Sequence, residues 1–183
     1  MSAKRVAVIG ITLIGFVVGI GVAGPVLPRL PELTDQVKSM ADLKRIRIDI
    51  TPIPELVERS GTTAEQVEKT VRDRLAGAGL EVEDDAKLPR VNLTVMVAQE
   101  PDQPKAVGLA VVIMVYQNAT VHRIDRKLDV PTNTVIRHVL TSRSKLADAV
   151  ARETRTAVEL LIDTVRSATI AKTPPATDAT DTR

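Results

Sequence analysis

The two histidines are the side chains best suited to hold a metal ion or move a proton, and their setting favours neither role. His122 and His138 lie on strand-like segments, and the chain contains no HxxxH or HxH pair. No Asp or Glu stands near either histidine at a ligand spacing. Because zinc sites need several such ligands close together, we predict surface or hydrogen-bonded histidines and no metal site.

Four carboxylates form an acidic cluster around the end of a predicted short strand: Glu81, Glu83, Asp84 and Asp85. Carboxylate oxygens are good calcium ligands, but the EF-hand loop pattern does not surround this cluster. The cluster stands where the chain is predicted to leave a strand. We therefore predict a solvated turn and no cation site.

The sequence contains neither a hydrolase nucleophile motif nor a phosphate loop. Ser142 and Ser144 have no GxSxG context, and Ser144 is better placed as the N-cap of a helix. The GxxxxGK[ST] pattern of a phosphate loop does not occur in the chain. We predict no catalytic, cofactor-binding or metal-ligating residue, no cofactor, and a protein that is not an enzyme.

Charge and cysteine content narrow the function classes further. Of 25 Lys and Arg residues, Lys4 and Arg5 precede an apolar segment, which leaves 23 basic residues against 23 acidic ones. A neutral remainder, with Phe16 and Tyr116 as the aromatic residues, gives no basis for nucleic-acid binding. The lack of cysteine excludes disulfides, thiolate metal sites and the cysteine-linked anchor of bacterial lipoproteins.

The apolar segment Val6–Gly24 is predicted to be a membrane helix. It runs nineteen residues without a charged side chain. As a helix it would be about 28 Å long, close to the hydrocarbon thickness of a bilayer. The basic residues before it favour a cytoplasmic N-terminus, so we expect a single-pass inner-membrane protein whose later residues lie on the extracytoplasmic side.

Two alternatives for this segment remain open. Small residues at Gly21 and Ala23 match a signal-peptidase site, so cleavage near Ala23 would give a secreted or periplasmic domain. The retained anchor is favoured, because nineteen residues is long for a cleaved apolar core. Gly15 and Gly19 fit the small-xxx-small pattern that lets membrane helices approach closely, which predicts a homodimer contact.

Composition divides the chain into four parts. Residues 1–24 are the predicted signal anchor, and residues 25–42 are a linker punctuated by prolines. Residues 43–170 carry the periodic patterns expected of one globular domain. Residues 171–183 are rich in Thr, Pro and Asp and are predicted to be a disordered tail.

The first half of the domain shows one strand and one helix clearly. Ile46, Ile48 and Ile50 alternate with polar residues, which predicts a half-buried strand. A capping box from Thr62 to Glu65 begins the helix, and Gly77 or Gly79 ends it.

Later residues predict more strands and a final helix. The predicted strands are Leu80–Val82, Val91–Val97, Ala106–Gln117, Thr120–Val130 after a turn at Asn118-Ala119, and less clearly Val135–Leu140. The almost wholly apolar Ala106–Gln117 is expected to be a central strand covered on both faces. A helix from about Ser144 to Ala168 completes an α+β domain of order β-α-β-β-β-β-α. Its antiparallel-rich sheet of four to five strands carries two helices on one face.

This pattern resembles a group of small exported bacterial envelope proteins of unknown function. The resemblance covers about Arg45–Ala168 and rests on the helix-to-strand sequence TAEQVEKTVRDRLAGAGLEV, Thr63–Val82, and on the alternating strand after Leu88. More distantly, the element order is similar to LptE-like proteins, the TolB amino-terminal domain and ABC-transport auxiliary domains. The resemblance implies an envelope location and transfers no site residues.

Two functions fit these features. The first is a membrane-tethered, non-catalytic module that binds another envelope protein or assists transport, because one rigid exported domain carries no concentration of reactive groups. The second is a carrier of lipid or a small apolar ligand, which would use an aliphatic groove near Ala106–Val115. A native mass spectrum and the size of the groove would separate them.

Overall fold

A computed structural model describes residues 33–103 and 105–172 of this protein. The predicted membrane segment Val6–Gly24, with Gly15, Gly19 and the cleavage position Ala23, lies outside these residues. Residues 173–183 of the predicted tail also lie outside them. Within the described ranges, no helix is both long and apolar enough to cross a membrane.

Five strands form one mixed sheet in the order β2-β1-β3-β4-β5. The strands are β1 (Arg45–Ile50), β2 (Glu81–Val82), β3 (Arg90–Ala98), β4 (Ala106–Val121) and β5 (Arg126–Ser142). β1 pairs in parallel with β2 and β3, whereas β3 with β4 and β4 with β5 pair antiparallel. The predicted α+β class, with its antiparallel-rich sheet, is confirmed.

Four α-helices accompany the sheet in the described ranges: α1 (Asp35–Lys38), α2 (Glu55–Glu58), α3 (Ala64–Gly77) and α4 (Leu146–Lys172). The two long helices, α3 and α4, are the ones that the sequence predicts. The capping box is one residue later than predicted. Thr63 Oγ1 accepts from Gln66 N at 3.3 Å, and Gln66 Oε1 accepts from Thr63 N at 3.1 Å. Thr62, the predicted cap, is buried instead.

The predicted turn at Asn118-Ala119 is wrong, because these residues continue β4. The chain turns at His122–Ile124, a short 3-10 helix, followed by Asp125 with φ 46°. Aspartate tolerates this left-handed conformation better than most residues, so the turn needs no glycine. The separate strand predicted over Val135–Leu140 is also wrong, since β5 runs unbroken through it and contains a register shift opposite Val115 and Tyr116.

One aliphatic core lies between the sheet and the long helices. Strand residues such as Leu93 and Ile113 are fully buried in the same cluster as Val71 of α3 and Leu161 of α4. The N-terminal side of the domain joins this core through Met40, which is fully buried although it falls in the predicted linker. The boundaries at residues 25, 43 and 171 stay predictions.

Candidate binding face

The sheet has two faces with different surroundings. One face presents Val107, Leu109, Val111, Ile113 and Val115 of β4, all in the core cluster with the helices. The opposite face, which we name the outer face, carries the alternate side chains of the same strands. These are Arg90, Asn92, Thr94 and Met96 of β3; Gly108, Ala110, Val112, Met114 and Tyr116 of β4; and Thr134, Ile136, His138 and Leu140 of β5.

One half of the outer face is apolar and exposed. Met96, Ile136 and Leu140 are 48%, 59% and 76% exposed. On the same face Val112 is buried opposite Ile136, whereas Met96 lies opposite Ala110 and Leu140 lies opposite Gly108. Because alternate side chains of a strand share a face, β3, β4 and β5 bring these residues together from distant sequence positions. The prediction that Ala106–Gln117 is covered on both faces is not matched by the described residues.

The other half of the outer face is polar and centred on Arg90. Its Nη1 lies 3.3 Å from Asp49 Oδ2, and its Nη2 lies 3.0 Å from Asp129 Oδ2. The guanidinium also stands over the Tyr116 ring, 4.4 Å from the ring centre, which is a cation–π distance. The Arg90 charge is thereby balanced within the face.

Hydroxyl and amide groups continue this polar half toward β1. Thr51 Oγ1 and Thr94 Oγ1 are 2.9 Å apart, and Thr94 Oγ1 donates to Asn92 Oδ1 at 3.3 Å. Asn92 Nδ2 lies 3.5 Å from both Asp49 O and Thr51 Oγ1. This network ties Asn92 and Thr94 of β3 to the backbone of β1 and to Thr51, the residue that follows β1.

The histidines lie apart in the fold. His122 is exposed in the turn of the β4–β5 hairpin, whereas His138 is exposed on the outer face opposite Ala110. Within residues 33–103 and 105–172, no group of three or more His, Asp or Glu side chains is arranged to hold a metal ion. The structure thus separates the two side chains that the sequence offered for metal binding.

The residues of the acidic cluster contact different neighbours, and two of them have a basic partner. Glu83 binds Arg45 through two contacts of 2.7 and 2.6 Å, and this hydrogen bond holds the pKa of the Glu83 carboxyl below its usual value. Asp84 lies 3.7 Å from Arg72 of α3. Asp85 Oδ1 accepts from Lys87 N at 2.9 Å, an Asx-type turn contact. The cluster therefore holds β2 and its loop against neighbouring elements.

Ser142 and Ser144, the two serines considered as nucleophiles, contact each other, with their hydroxyl oxygens 3.2 Å apart. Ser144 lies inside a short 3-10 turn, Arg143–Lys145, so it does not serve as the N-cap predicted for the last helix. Together with Lys105 and Arg143, they line an open depression of about 530 Å³.

Glu153 is a buried carboxylate that sequence reasoning missed. Its side chain is 5% exposed, and its two oxygens lie 3.2 Å from Arg137 Nε and 3.0 Å from Arg152 Nε. The pair with Arg137 joins α4 to β5 on the helix side of the sheet. The sequence does contain a signal for this pair, since Glu153 falls on the apolar stripe of the last helix. A glutamate at such a position is buried, and a buried carboxylate requires a basic partner.

An apolar depression lies beside the C-terminal half of α4. It measures about 310 Å³ and is lined by residues that include Leu43, Leu80, Val165 and Ile170. Ligand pockets in proteins usually start near about 300 Å³ and enclose most of the ligand. This depression is open to solvent, and its lining residues are separate from the outer face.

Comparison with known proteins gives structural similarity only. No protein-family model and no curated protein sequence matches the chain. The rare lipoprotein B from Shewanella oneidensis is similar with a TM-score of 0.40 and 12% identity, covering 70% of this chain and 98% of that one. A minor lipoprotein from Acinetobacter baumannii gives a TM-score of 0.35 and 11% identity, covering 70% and 94%.

A PelC dodecamer from Paraburkholderia phytofirmans is similar at the same level, with a TM-score of 0.36, 12% identity, and coverage of 65% and 86%. Two of these structures are bacterial lipoproteins, whereas the present sequence contains no cysteine to carry such a lipid. Similarity at these scores transfers no function to this chain.

Proposed function

We propose that this protein is a non-catalytic, protein-binding module of the bacterial cell envelope, and that it binds another envelope protein through the apolar half of its outer face. The predicted anchor at residues 6–24 would hold the domain at the extracytoplasmic side of the inner membrane. This anchor follows from the sequence alone, from its length and lack of charge.

The observation that carries the proposal is the exposure of Met96, Ile136 and Leu140 together on one sheet face. An antiparallel sheet with one solvated face normally places polar residues there. Contiguous apolar side chains left in water mark interaction sites, because covering them releases free energy in proportion to the area buried.

The shape and the charge balance of the face favour a protein partner over a reaction. A depression of about 410 Å³ lies at the end of this face beside Gly108 and Leu140, but it is open to solvent, whereas small-ligand sites enclose most of the ligand. The charged groups nearby, Arg90, Asp49 and Asp129, are engaged with one another, so they serve structure and specificity at the rim. A polar rim beside an apolar centre is the usual anatomy of a protein interface.

A single substitution on β3 tests this proposal. Met96→Lys places a charge on the outer face at a position that is 48% exposed, and Ile170→Lys places the same charge at a more exposed apolar position on α4, which is 74% exposed. The full-length chain is purified from membranes in detergent, and its co-purifying proteins are quantified. We expect Met96→Lys to lower recovery of a wild-type partner about tenfold or more, since an unpaired buried charge costs over about 1.4 kcal/mol.

Ile170→Lys is expected to keep that partner at the wild-type level. A partner retained by Met96→Lys, or lost equally from both variants, would contradict binding through the outer face. A strictly monomeric wild-type chain without any reproducible partner would contradict the protein-binding function itself.

The lipid-carrier alternative has its own candidate place, the apolar depression lined by Leu43 and Ile170. Native mass spectrometry of the wild-type chain tests it directly. A bound lipid that disappears in Ile170→Lys would favour the carrier function, because a lysine there would place a charge against the acyl chain. A spectrum showing protein alone would count against it.

A further inference from the structure

Among residues 33–103 and 105–172, no strand pairs with the outer edge of β5, which leaves a row of backbone groups there without a partner strand. β5 is the last strand of the sheet, with β4 on one side. Arg143 N donates to Lys105 O at 3.1 Å, and these two residues continue the β4–β5 register. In an antiparallel ladder, hydrogen-bonded pairs alternate with pairs that are not hydrogen-bonded. From residue 133 to residue 143, the odd-numbered residues therefore bond to β4. The residues whose N–H and C=O point away from the sheet are Thr134, Ile136, His138 and Leu140.

The two halves of this edge differ in how they are protected. In the part of β5 that precedes the register shift, the residues whose backbone groups point away from β4 are Lys127, Asp129 and Pro131. Charged residues and proline are the usual means of preventing strand addition at a sheet edge, because proline lacks the N–H that a new strand requires. From Thr134 to Leu140 no such residue occupies an outward position, and all four side chains are exposed.

We propose that this protein forms a two-fold dimer in which β5 of one copy pairs antiparallel with β5 of a second copy, centred on His138. The segment is complementary to itself in this register. Ile136 stands opposite Leu140 of the second copy, and Thr134 stands opposite Ser142, so aliphatic meets aliphatic and hydroxyl meets hydroxyl. The three pairs nearest the two-fold axis are 136 with 140, 138 with 138, and 140 with 136 of the second copy. Each of these pairs forms two hydrogen bonds.

The helix side of the same register carries no charge conflict. Arg137 stands opposite Val139 of the second copy, and its guanidinium is already bound to Glu153 of α4 at 3.2 Å. Cross-strand pairs of like charge would oppose pairing, whereas this arrangement places an arginine with its own counter-ion beside an aliphatic residue. The pairing therefore selects a second copy by its own sequence pattern.

Pairing at this edge would join the two sheets into one and make the two outer faces continuous. The apolar patches would then meet across the two-fold axis, with Ile136 and Leu140 at the junction. This dimer is independent of the partner proposed above, and it is independent of the predicted Gly15 and Gly19 contact.

Cysteine substitution provides a direct test, because the natural sequence contains no cysteine. In the full-length chain in detergent, His138→Cys places the two introduced residues directly opposite each other. Their Cα atoms would be about 5.5 Å apart, within disulfide range. Ile136→Cys is the matched control, since its two copies would lie about 13 Å apart along the strands. We expect a covalent dimer from His138→Cys under mild oxidation and at least about fivefold less from Ile136→Cys.

A second pair of variants tests the backbone contacts by light scattering. His138→Pro removes an outward N–H without touching the β4 ladder, and His138→Ala keeps that N–H. We expect His138→Pro to be monomeric and His138→Ala to remain dimeric. His138→Lys, which places two like charges at the axis, is the substitute if the proline variant does not fold. Equal cross-linking of both cysteine variants, or a dimer that survives both His138→Pro and His138→Lys, would overturn the proposal.

Discussion

Both faces of the sheet carry aliphatic side chains, and these side chains have different surroundings on the two faces. On β4, Ile113 faces the helices and is fully buried, while the preceding residue, Val112, faces outward and is 9% exposed. On β5, Ile136 faces outward and is mostly exposed. An aliphatic side chain in a strand therefore does not by itself indicate a core position. The apolar half of the outer face carries exposed aliphatic side chains, whereas the opposite face packs its aliphatic side chains against the helices.

The polar groups show the same contrast. Glu153, on the helix side, is 5% exposed and bound by two arginines, whereas Asp129, on the outer side, is 47% exposed and shares Arg90 with Asp49. Loss of the Glu153 charge would leave Arg137 and Arg152 without their partner. Asp129 lies at a solvated rim, where water compensates for the loss of its charge.

The largest expected effect comes from a matched pair of isoleucines. Ile113→Ala would open a cavity in the core and lower the free energy of unfolding by about 2–5 kcal/mol. Ile136→Ala removes the same atoms from an exposed position and should change it by less than about 0.5 kcal/mol. Urea unfolding of both variants checks this difference. Equal losses would show that the outer face is covered in the folded protein and would remove it as a binding surface.

A smaller difference in the free energy of unfolding is expected between variants of Glu153 and Asp129. Glu153→Gln keeps the shape and removes the charge that binds Arg137 and Arg152, which should cost about 1–2 kcal/mol. Asp129→Asn, at the rim, should cost less than about 0.5 kcal/mol. Denaturant midpoints of the two variants test the contrast. A larger loss from Asp129→Asn would mean that the Arg90 cluster stabilises the fold and is more than an exposed rim.

The smallest effect concerns pH. The Lys172 ammonium beside Asp42 lowers the pKa of the Asp42 carboxyl, and Arg45 does the same for Glu83. A carboxylate with a lowered pKa in the folded state stabilises the fold above its unfolded pKa, near 4. That stability is lost as pH falls through the lowered value. The melting temperature should therefore fall below about pH 4, and less steeply in Asp42→Asn. An unchanged slope would mean that the Asp42–Lys172 pair does not form in solution.

Much of the fold follows from local sequence signals. The alternation of Ile46, Ile48 and Ile50 predicts β1, and the capping residues with their apolar stripe predict α3. The cap itself is ambiguous in sequence, since Thr62 and Thr63 each have an acceptor three residues later. The structure selects Thr63, because Thr62 is buried.

The hairpin and the outer face could not be predicted in the same way. Asn118 looks like a turn residue, but cross-strand pairing with Asp129 keeps it in β4. The actual turn relies on a left-handed Asp125, which has no strong sequence signal. The apolar patch depends on which side of the sheet the helices occupy, and this is a tertiary property. Composition alone made Ala106–Gln117 look covered on both sides.

The most direct test of the outer face as a binding surface is site-specific photo-crosslinking in membranes that contain the full-length chain. A photoreactive residue replaces Met96 in one variant and Ile170 in another. The account predicts a discrete cross-linked product with another protein from position 96 and none of that product from position 170. Cross-links from position 96 that stay within the same chain, or identical products from both positions, would contradict it.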